Sequence, residues 1–372
     1  MDVQRQFPGV HWVWGGGISY VYEVHPLIVV KVPKSGPEER EKFRKELKVY
    51  EILSRHPPCP HLVQCFHYTI DGIFLEYMRD ISLAYRRQFN LTRGPETRVV
   101  IKVGKLEPLA LRKSWMNDLA QGVAFLGSLN LAHGDLRPEN ILLDRNRLKL
   151  ADFDCTAEFG TDFETCPCPY GRLLNSNEAD QGTPGTAGLL GPRTEQFALG
   201  SLYYLINYGF EVYDDQCLAD DLYEHGPKVV DLLQDMEFPK LDGDPLIDDI
   251  IDKCWHNQYL TLADLATHTE ALLKEPQSAA LDHEAASTSG WCTAIDRILR
   301  QLWSRLGVRR RSNVEVTKGD DQKRYVGDLS SKEEFCRDLE KRGLLRLLTS
   351  SKPTELGFKM EHRHVLPTTP AS

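Results

Sequence analysis

Three apolar-rich runs open the chain: VHWVW, SYVYEV and LIVVKV, all within residues 10–32 and separated by Gly15-Gly16-Gly17 and by His25-Pro26. Short runs of this kind, bounded by glycine or proline, predict three strands. The period then changes. In EEREKFRKELKVYEILSRH the side chains of Phe43, Leu47, Tyr50 and Leu53 fall along one stripe, which predicts an amphipathic helix. LVQCFHYTI and GIFLEYMR flank Asp71-Gly72, a dipeptide that predicts a hairpin. Residues 79–108 are ambiguous, with a short helix at ISLAYRRQF followed by a loop bearing Gly and Pro. LALRKSWMNDLAQGVAFLGSL is helical, with Leu111, Trp115, Leu119 and either Phe125 or Leu126 as its core stripe.

Two further buried-type strands, Ile141–Leu143 and Leu148–Ala151, are joined by a polar turn. After Asp152 the pattern lapses through CTAEFGTDFETCPCPYGRLLNSNEADQGTPGTAGLLGP, a structureless length that in a compact domain marks a functional loop. TEQFALGSLYYLINYG then reads as a buried helix, and mostly acidic helical segments follow to about residue 274. Residues 275–290 are small, polar and without period, a linker by composition. Within the basic stretch 291–311, Ile295, Ile298, Leu299, Leu302 and Leu306 stand at helical spacing opposite arginines. Such a face either packs on the body or contacts a partner or a membrane surface. A last helix, opened by a capping box at Ser331 and Glu334, is expected through FCRDLEKRGLLRLL.

Charge is unevenly shared. Residues 1–275 carry 28 basic against 41 acidic side chains, and residues 276–372 carry 17 against 13. An acidic body of this kind argues against a nucleic-acid binder. No apolar run is long enough for a transmembrane helix, and the first residues lack the apolar core of a secretory leader. Nine cysteines without framework spacing fit a reducing compartment, and Cys166 and Cys168 read as surface loop thiols. A cytoplasmic or nuclear protein is the expectation.

Chemistry concentrates between Leu131 and Asp154, LAHGDLRPENILLDRNRLKLADFD. Asp135 and Asn140 precede the first strand of the hairpin and Asp152 follows the second, so the hairpin can bring an Asp, an Asn and a second Asp to one point. Oxygen donors there suit Mg²⁺ on nucleotide phosphates, and a carboxylate beside the metal can orient or deprotonate an attacking hydroxyl. Lys31, inside the apolar VVKVP, needs an anion if it is buried. Gly15 and Gly17 allow a close approach of backbone amides to phosphate.

His133-Gly134-Asp135, Asn140 and Asp152-Phe153-Asp154 resemble the catalytic and metal loops of eukaryotic-type protein kinases, H-R-D-L-x-x-x-N and D-F-G. The resemblance covers residues 8–274 and implies an α+β, two-lobed protein-kinase-like fold: a small antiparallel N-lobe with one helix (about 8–76) and a larger, mainly helical C-lobe (about 79–274). A helical C-terminal extension over residues 291–372 would follow. The resemblance also implies ATP as cofactor and protein substrates as partners. Under it Lys31 anchors phosphates, Glu46 orders Lys31, and Gly15 and Gly17 cover the nucleotide. Leu75 is the residue at the back of the adenine pocket, and Glu76 and Met78 offer backbone groups to adenine. Asp135 receives or orients the substrate hydroxyl, Arg137 adds positive charge, and Asn140 and Asp152 bind Mg²⁺.

The chain departs from that family in several places. Tyr20 stands where the third loop glycine would be. Gly134 replaces the arginine that commonly pairs with a phosphorylated activation loop, Arg137 replaces a lysine, and Asp154 replaces the glycine of D-F-G. Asp154 is expected to adopt a left-handed backbone. Glu195 takes the place of an aspartate while Leu199-Gly200 is retained, and the nearest counterpart to A-P-E is Pro169-Tyr170-Gly171. Two other classes stay open: a small-molecule kinase of the aminoglycoside or choline kinase type, which shares the H-G-D loop, and a scaffold that binds nucleotide or a partner without turnover.

Overall fold

The structure is a computed structural model that describes residues 3–80, 82–88, 90–164, 166–173, 188–219, 221–274 and 318–360. The linker 275–290, the basic stretch 291–311 and residues 174–187 lie outside the described residues. The chain divides into two units, Met1–Leu273 with Lys332–Ser372, and Lys274–Ser331. The first unit holds every strand among the described residues.

A short helix, α1 (Val3–Gln6), precedes β1 (His11–Gly15), β2 (Ser19–His25) and β3 (Ile28–Pro33). Helix α2 (Pro37–Leu53) comes next, then β4 (Cys65–Thr69) and β5 (Gly72–Glu76). The five strands form one antiparallel sheet in the order β1-β2-β3-β5-β4. The β4–β5 hairpin forms, yet its register pairs Thr69 with Gly72 and so puts Ile70-Asp71 at the tip. Gly72 serves another purpose than the expected turn: a Cβ there would stand 2.6 Å from Leu345 Cδ2 and 3.3 Å from Val30. Its missing side chain lets a distant part of the chain close on the sheet.

Beyond β5 come α3 (Leu83–Gln88) and a hairpin of β6 (Leu91–Arg93) and β7 (Val100–Val103), then α4 (Leu109–Ser128) and β8 (Leu131–Ala132). The β6–β7 hairpin resolves the ambiguous stretch, with Gly94-Pro95 at the turn. A 3₁₀ turn, Pro138–Asn140, leads into β9 (Ile141–Asp144), which pairs with β10 (Arg147–Leu150). Strand β11 (Ala157–Glu158) pairs back to β8. The later elements among the described residues are helices: α5 (Pro192–Tyr208), α6 (Leu222–Gln234), α7 (Pro245–Trp255), α8 (Leu262–Lys274), α9 (Lys318–Lys341) and α10 (Leu344–Leu348). The result is a small antiparallel lobe with one long helix and a mainly helical lobe, as the resemblance implied. Helix α9 begins thirteen residues before Ser331, so the expected capping box lies inside a helix rather than at its start.

Helix α5 is buried on every side from Arg193 to Asn207 and forms the axis of the larger lobe. Trp255 is stacked on Phe238 at 4.6 Å, and its indole N–H donates to Ser201 Oγ at 3.2 Å. A buried indole finding an acceptor in this way locks α7 to α5 in one register. Among the described residues no helix is long and apolar enough to cross a membrane.

Candidate active site

Every residue of β3 is buried, Lys31 included. Its ammonium lies 2.6 Å from Glu46 Oε2 and 2.5 Å from Asp152 Oδ1. Glu46 is fully buried on the face of α2 that carries Phe43, Val49 and Tyr50. Glu51 points elsewhere and pairs with Arg55 in solvent. Burial alone would lower the Lys31 pKa, but Asp152 and then Glu46 outweigh it and hold the group above its ordinary value. Two carboxylates share one ammonium, and the cost of the surplus negative charge falls on the more buried of them, Glu46. Burial lifts the Glu46 carboxyl to about 7 against the pull of Lys31. Burial also acts upward on Asp152, where Lys31 prevails and holds the carboxyl below its usual range.

The loop after β8 hangs from α5. Glu195 is buried, and its carboxylate accepts from the amides of His133 (2.8 Å) and Gly134 (3.2 Å). Gly134 has φ +77°, and a Cβ at that position would stand 2.6 Å from the Cys155 carbonyl oxygen. Glycine is therefore what the loop accepts here, by backbone conformation and by space. His133 is fully buried, and burial lowers its pKa, so it is neutral. One tautomer satisfies both ring nitrogens: Nε2–H donates to Ala151 O at 3.0 Å and Nδ1 accepts from the Asp135 amide at 3.3 Å. His133 thereby ties the residue before Asp152 to Asp135.

Asp135 is enclosed by donors. Asn140 Nδ2 donates to its Oδ2 at 2.7 Å and to its carbonyl at 2.9 Å. Arg137 Nε stands 3.1 Å from Oδ2. The Cys166 thiol donates to Oδ1 at 3.3 Å. Cys166 is buried, contrary to its expected place among surface loop thiols, and burial followed by the Asp135 charge pushes its pKa up. The C-P-C spacing carries no signal for this; only the folding back of the loop across Asp135 reveals it.

The left-handed residue of the Asp152-Phe153-Asp154 turn is Asp152, at φ +65°, and not Asp154. Phe153 explains the difference. It is fully buried between Tyr50 of α2 (ring centroids 5.4 Å apart) and His133 (5.5 Å). Driving that ring inward makes the chain turn at the preceding residue, so Asp154 keeps an ordinary backbone.

At the β1–β2 turn the Gly16 amide donates to Ser19 O at 3.0 Å, and Gly17 has open space where a side chain would be. Tyr20 packs edge-on against Trp12 at 6.2 Å, with Lys34 5.4 Å over its ring. Leu75 is buried in β5. The Glu76 amide donates to Gln64 O at 2.8 Å, and the Tyr77 amide to Leu27 O at 3.0 Å. Met78 is buried directly beyond them. The Glu76 side chain pairs with buried Lys149 of β10 at 2.5 Å. That tie between the end of β5 and the β9–β10 hairpin was not read from the sequence, although Lys149 carries the same mark as Lys31, a lysine inside an apolar strand.

Among the described residues no group of three His, Cys, Asp or Glu is placed to hold a metal ion. The donors offered are the Asp152 carboxylate and the Asn140 amide oxygen, whose own N–H₂ is spent on Asp135. Two hard oxygen donors fit a divalent ion that takes its other oxygens from nucleotide phosphates and water, and do not make a site that binds metal alone.

Residues 20–185 match the family model described as "Protein kinase domain". CBL-interacting protein kinase 10 of Oryza sativa subsp. japonica is 27% identical over 190 residues, 48% of this chain and 36% of that protein. Serine/threonine-protein kinase kin-29 of Caenorhabditis elegans is 29% identical over 175 residues, covering 45% and 18%. Dual specificity protein kinase Ttk of Danio rerio is 21% identical over 317 residues, covering 80% and 30%. The chain thus spans between 18% and 36% of the length of these curated relatives. The matched region runs from β2 past the loop after β8 and β11, through the residues that meet around Lys31 and Asp135, and it is this region that is similar to eukaryotic-type protein kinase domains.

Proposed function

We propose that this chain transfers the γ-phosphate of Mg-ATP to serine or threonine hydroxyls of protein substrates. The observation that carries this reading is the pairing at the two ends of one hairpin: Asp135 bonded to Asn140 before β9, and Asp152 bonded to Lys31 after β10. Phosphoryl transfer asks little covalent chemistry of a protein, so placement and charge carry the rate. Lys31 holds the phosphates from one side, with Glu46 fixing its position. Gly15 and Gly17 cover the nucleotide from above, and Leu75, the Glu76 carbonyl and the Met78 amide receive the adenine. Asp135 orients the acceptor hydroxyl or takes its proton, and Arg137 offers positive charge beside it. Asn140 and Asp152 would hold Mg²⁺, which when bound neutralises charge developing on the phosphate oxygens.

Activity without activation-loop phosphorylation belongs to the same proposal. The lack of room at Gly134 supports it, because an arginine there would drive its Cβ into the Cys155 carbonyl. With no guanidinium at that position, a phosphorylated loop lacks its usual dock. The reading fits a cytoplasmic or nuclear protein.

The test is transfer of label from radiolabelled ATP to protein acceptors, with and without Mg²⁺, beside Asp135→Asn. We expect Mg²⁺-dependent labelling that drops about 10²- to 10⁴-fold in the variant, and no loss after phosphatase treatment. Equal labelling by the variant would remove Asp135 from the mechanism. Tight ATP binding without transfer to protein or small-molecule acceptors would make the chain a scaffold. A large loss after phosphatase treatment would end the claim of independence.

A further inference from the structure

The sheet of the smaller lobe is covered on both faces. Cross-strand partners share a face, so Tyr22, Val30 and Phe74 point one way while Val21, Lys31 and Ile73 point the other. The second set faces the site and α2. The first set would be an open outer surface if the chain ended after α8, yet Tyr22, Val30, Val32 and Phe74 are all fully buried. Residues from Lys332 to Met360 cover them. Leu345 fits against Gly72 and Val30, Glu340 pairs with His67 at 2.6 Å, and Phe335 packs on His25 at 5.4 Å. Cys336, Leu339, Leu344, Leu348 and Leu356 are buried in the same segment.

The far end of this segment lies over the root of the glycine-rich turn. Phe358 is buried with its ring 5.2 Å from that of Tyr22. The Met360 methyl stands 3.9 Å from where a Gly15 Cβ would be, beside Trp12 and Tyr20. Backbone support at this root is thin. Among the described residues strand β1 is the edge of the sheet and pairs with β2 alone, with a shift of register between Trp12 and Trp14. An edge strand with a bulge holds its position poorly by hydrogen bonds alone, so side chains packed on its outer face decide where the turn rests.

We propose that Phe358, with Met360, is a positioning residue for the nucleotide loop: the C-terminal segment holds the turn Gly15–Ser19 from outside, at the height required for backbone amides to meet phosphate. The proposal rests on the ATP-binding reading above for its consequence, but not for the contact itself. In Phe358→Ala the β1–β2 ribbon loses its outer support while Lys31, Asp135 and Asp152 keep their partners.

The experiment uses the full chain as Phe358→Ala, Phe358→Leu and Met360→Ala. Hydrogen–deuterium exchange is followed for peptides covering residues 11–25 and, as a reference, β3 to β5. Mg-ATP dissociation constants, KM and kcat are measured on the same samples, with thermal melting as the control for folding. We expect the turn to exchange about tenfold faster in Phe358→Ala, with β3 to β5 unchanged. KM for ATP should rise about tenfold while kcat stays within about twofold, and Phe358→Leu should restore both. Met360→Ala, a part-exposed side chain outside the core, should show a weaker form of the same pattern and keeps the test open if Phe358→Ala does not fold. Unchanged exchange at residues 11–25 in a folded variant overturns the proposal, whatever the nucleotide data. Faster exchange in a chain whose natural form binds no ATP supports the contact and refutes the ATP-binding reading instead.

Discussion

Gly134→Ala adds one methyl group to the site, and its cost can be worked from the loop. The residue sits at φ +77°, where an L side chain costs about 1–2 kcal/mol. The new Cβ would lie 2.6 Å from the Cys155 carbonyl oxygen, well inside contact distance, and that oxygen is backbone. Relief by movement is resisted nearby: Thr156 Oγ1 donates to His133 O at 3.1 Å, and Ala157 pairs with Ala132. The overlap adds about 1–3 kcal/mol, as overpacking does elsewhere. The total, about 2–5 kcal/mol, corresponds to a fall in Tm of about 5–15 °C for a domain of this size. If the loop yields instead, the amides of His133 and Gly134 leave the Glu195 carboxylate and Asp135 moves with them, so turnover falls about tenfold or more. Melting curves and label transfer on Gly134→Ala and Gly134→Arg measure both routes, with the arginine variant expected to be the worse. An arginine variant that melts within about 1 °C of the natural chain at full turnover would show that the loop has room for the residue we argue it excludes. The case for phosphorylation-independent activity would fall with it.

Three further outcomes are expected. The Glu46 and Glu195 carboxyls sit at about 7 against an ordinary 4.5, in both cases chiefly through burial. Each binds more protons folded than unfolded between those values, so stability should fall as pH rises from about 4.5 to about 7, by on the order of 2–3 kcal/mol per carboxyl, and Tm with it. His133, lowered by burial, opposes this below pH 6.5; the fall in Tm between about pH 4.5 and 7 should be shallower in Glu195→Gln, which leaves only Glu46 of the two carboxyls, and an unchanged slope would contradict the assignment. Tyr22 Oη is buried and has no hydrogen-bond partner among the described residues, so Tyr22→Phe should leave stability unchanged or raise it by about 1 kcal/mol in chemical denaturation. Among the described cysteines, thiol reagents on the native chain should modify exposed Cys217 first and buried Cys166 and Cys254 only on unfolding, as peptide mapping would show; early labelling of Cys166 would mean that Asp135 is not covered by that thiol.

What was legible in the sequence was local or carried by strong pattern. The strands around Lys31, helix α2 with Glu46 on its inner edge, and the β9–β10 hairpin all follow from periodicity and turn residues that act over a few positions. What was not legible depends on distant contacts. Gly72 looked like a turn residue and is in fact a gap for Leu345, more than two hundred residues away. Cys166 looked like a surface thiol because nothing in C-P-C says that the loop folds back over Asp135. Asp154 looked like the strained position because it stands where a glycine is usual, whereas burial of Phe153 moved the left-handed turn to Asp152. One long-range feature did leave a trace. IVVKVP is apolar at positions of both parities, as a strand is when both its faces are covered.

The burial of Phe153 also explains how so divergent a loop keeps its parts in register. The ring touches Tyr50, one turn beyond Glu46 on α2, and His133, whose Nδ1 accepts the amide of Asp135. On its N-terminal side Asp152 holds Lys31, which holds Glu46. The contacts form a closed circuit: Lys31 to Glu46, along α2 to Tyr50, to Phe153, and back through Asp152 to Lys31, with His133 as the branch to Asp135. Moving α2 away would therefore strip Lys31 of a partner and expose Phe153 in the same step. A carboxylate buried as deeply as Glu46 cannot stay charged without that lysine. The two losses make displacement of α2 costly. Replacing the usual glycine by Asp154 leaves this circuit intact, since the backbone turn it depends on is made at Asp152.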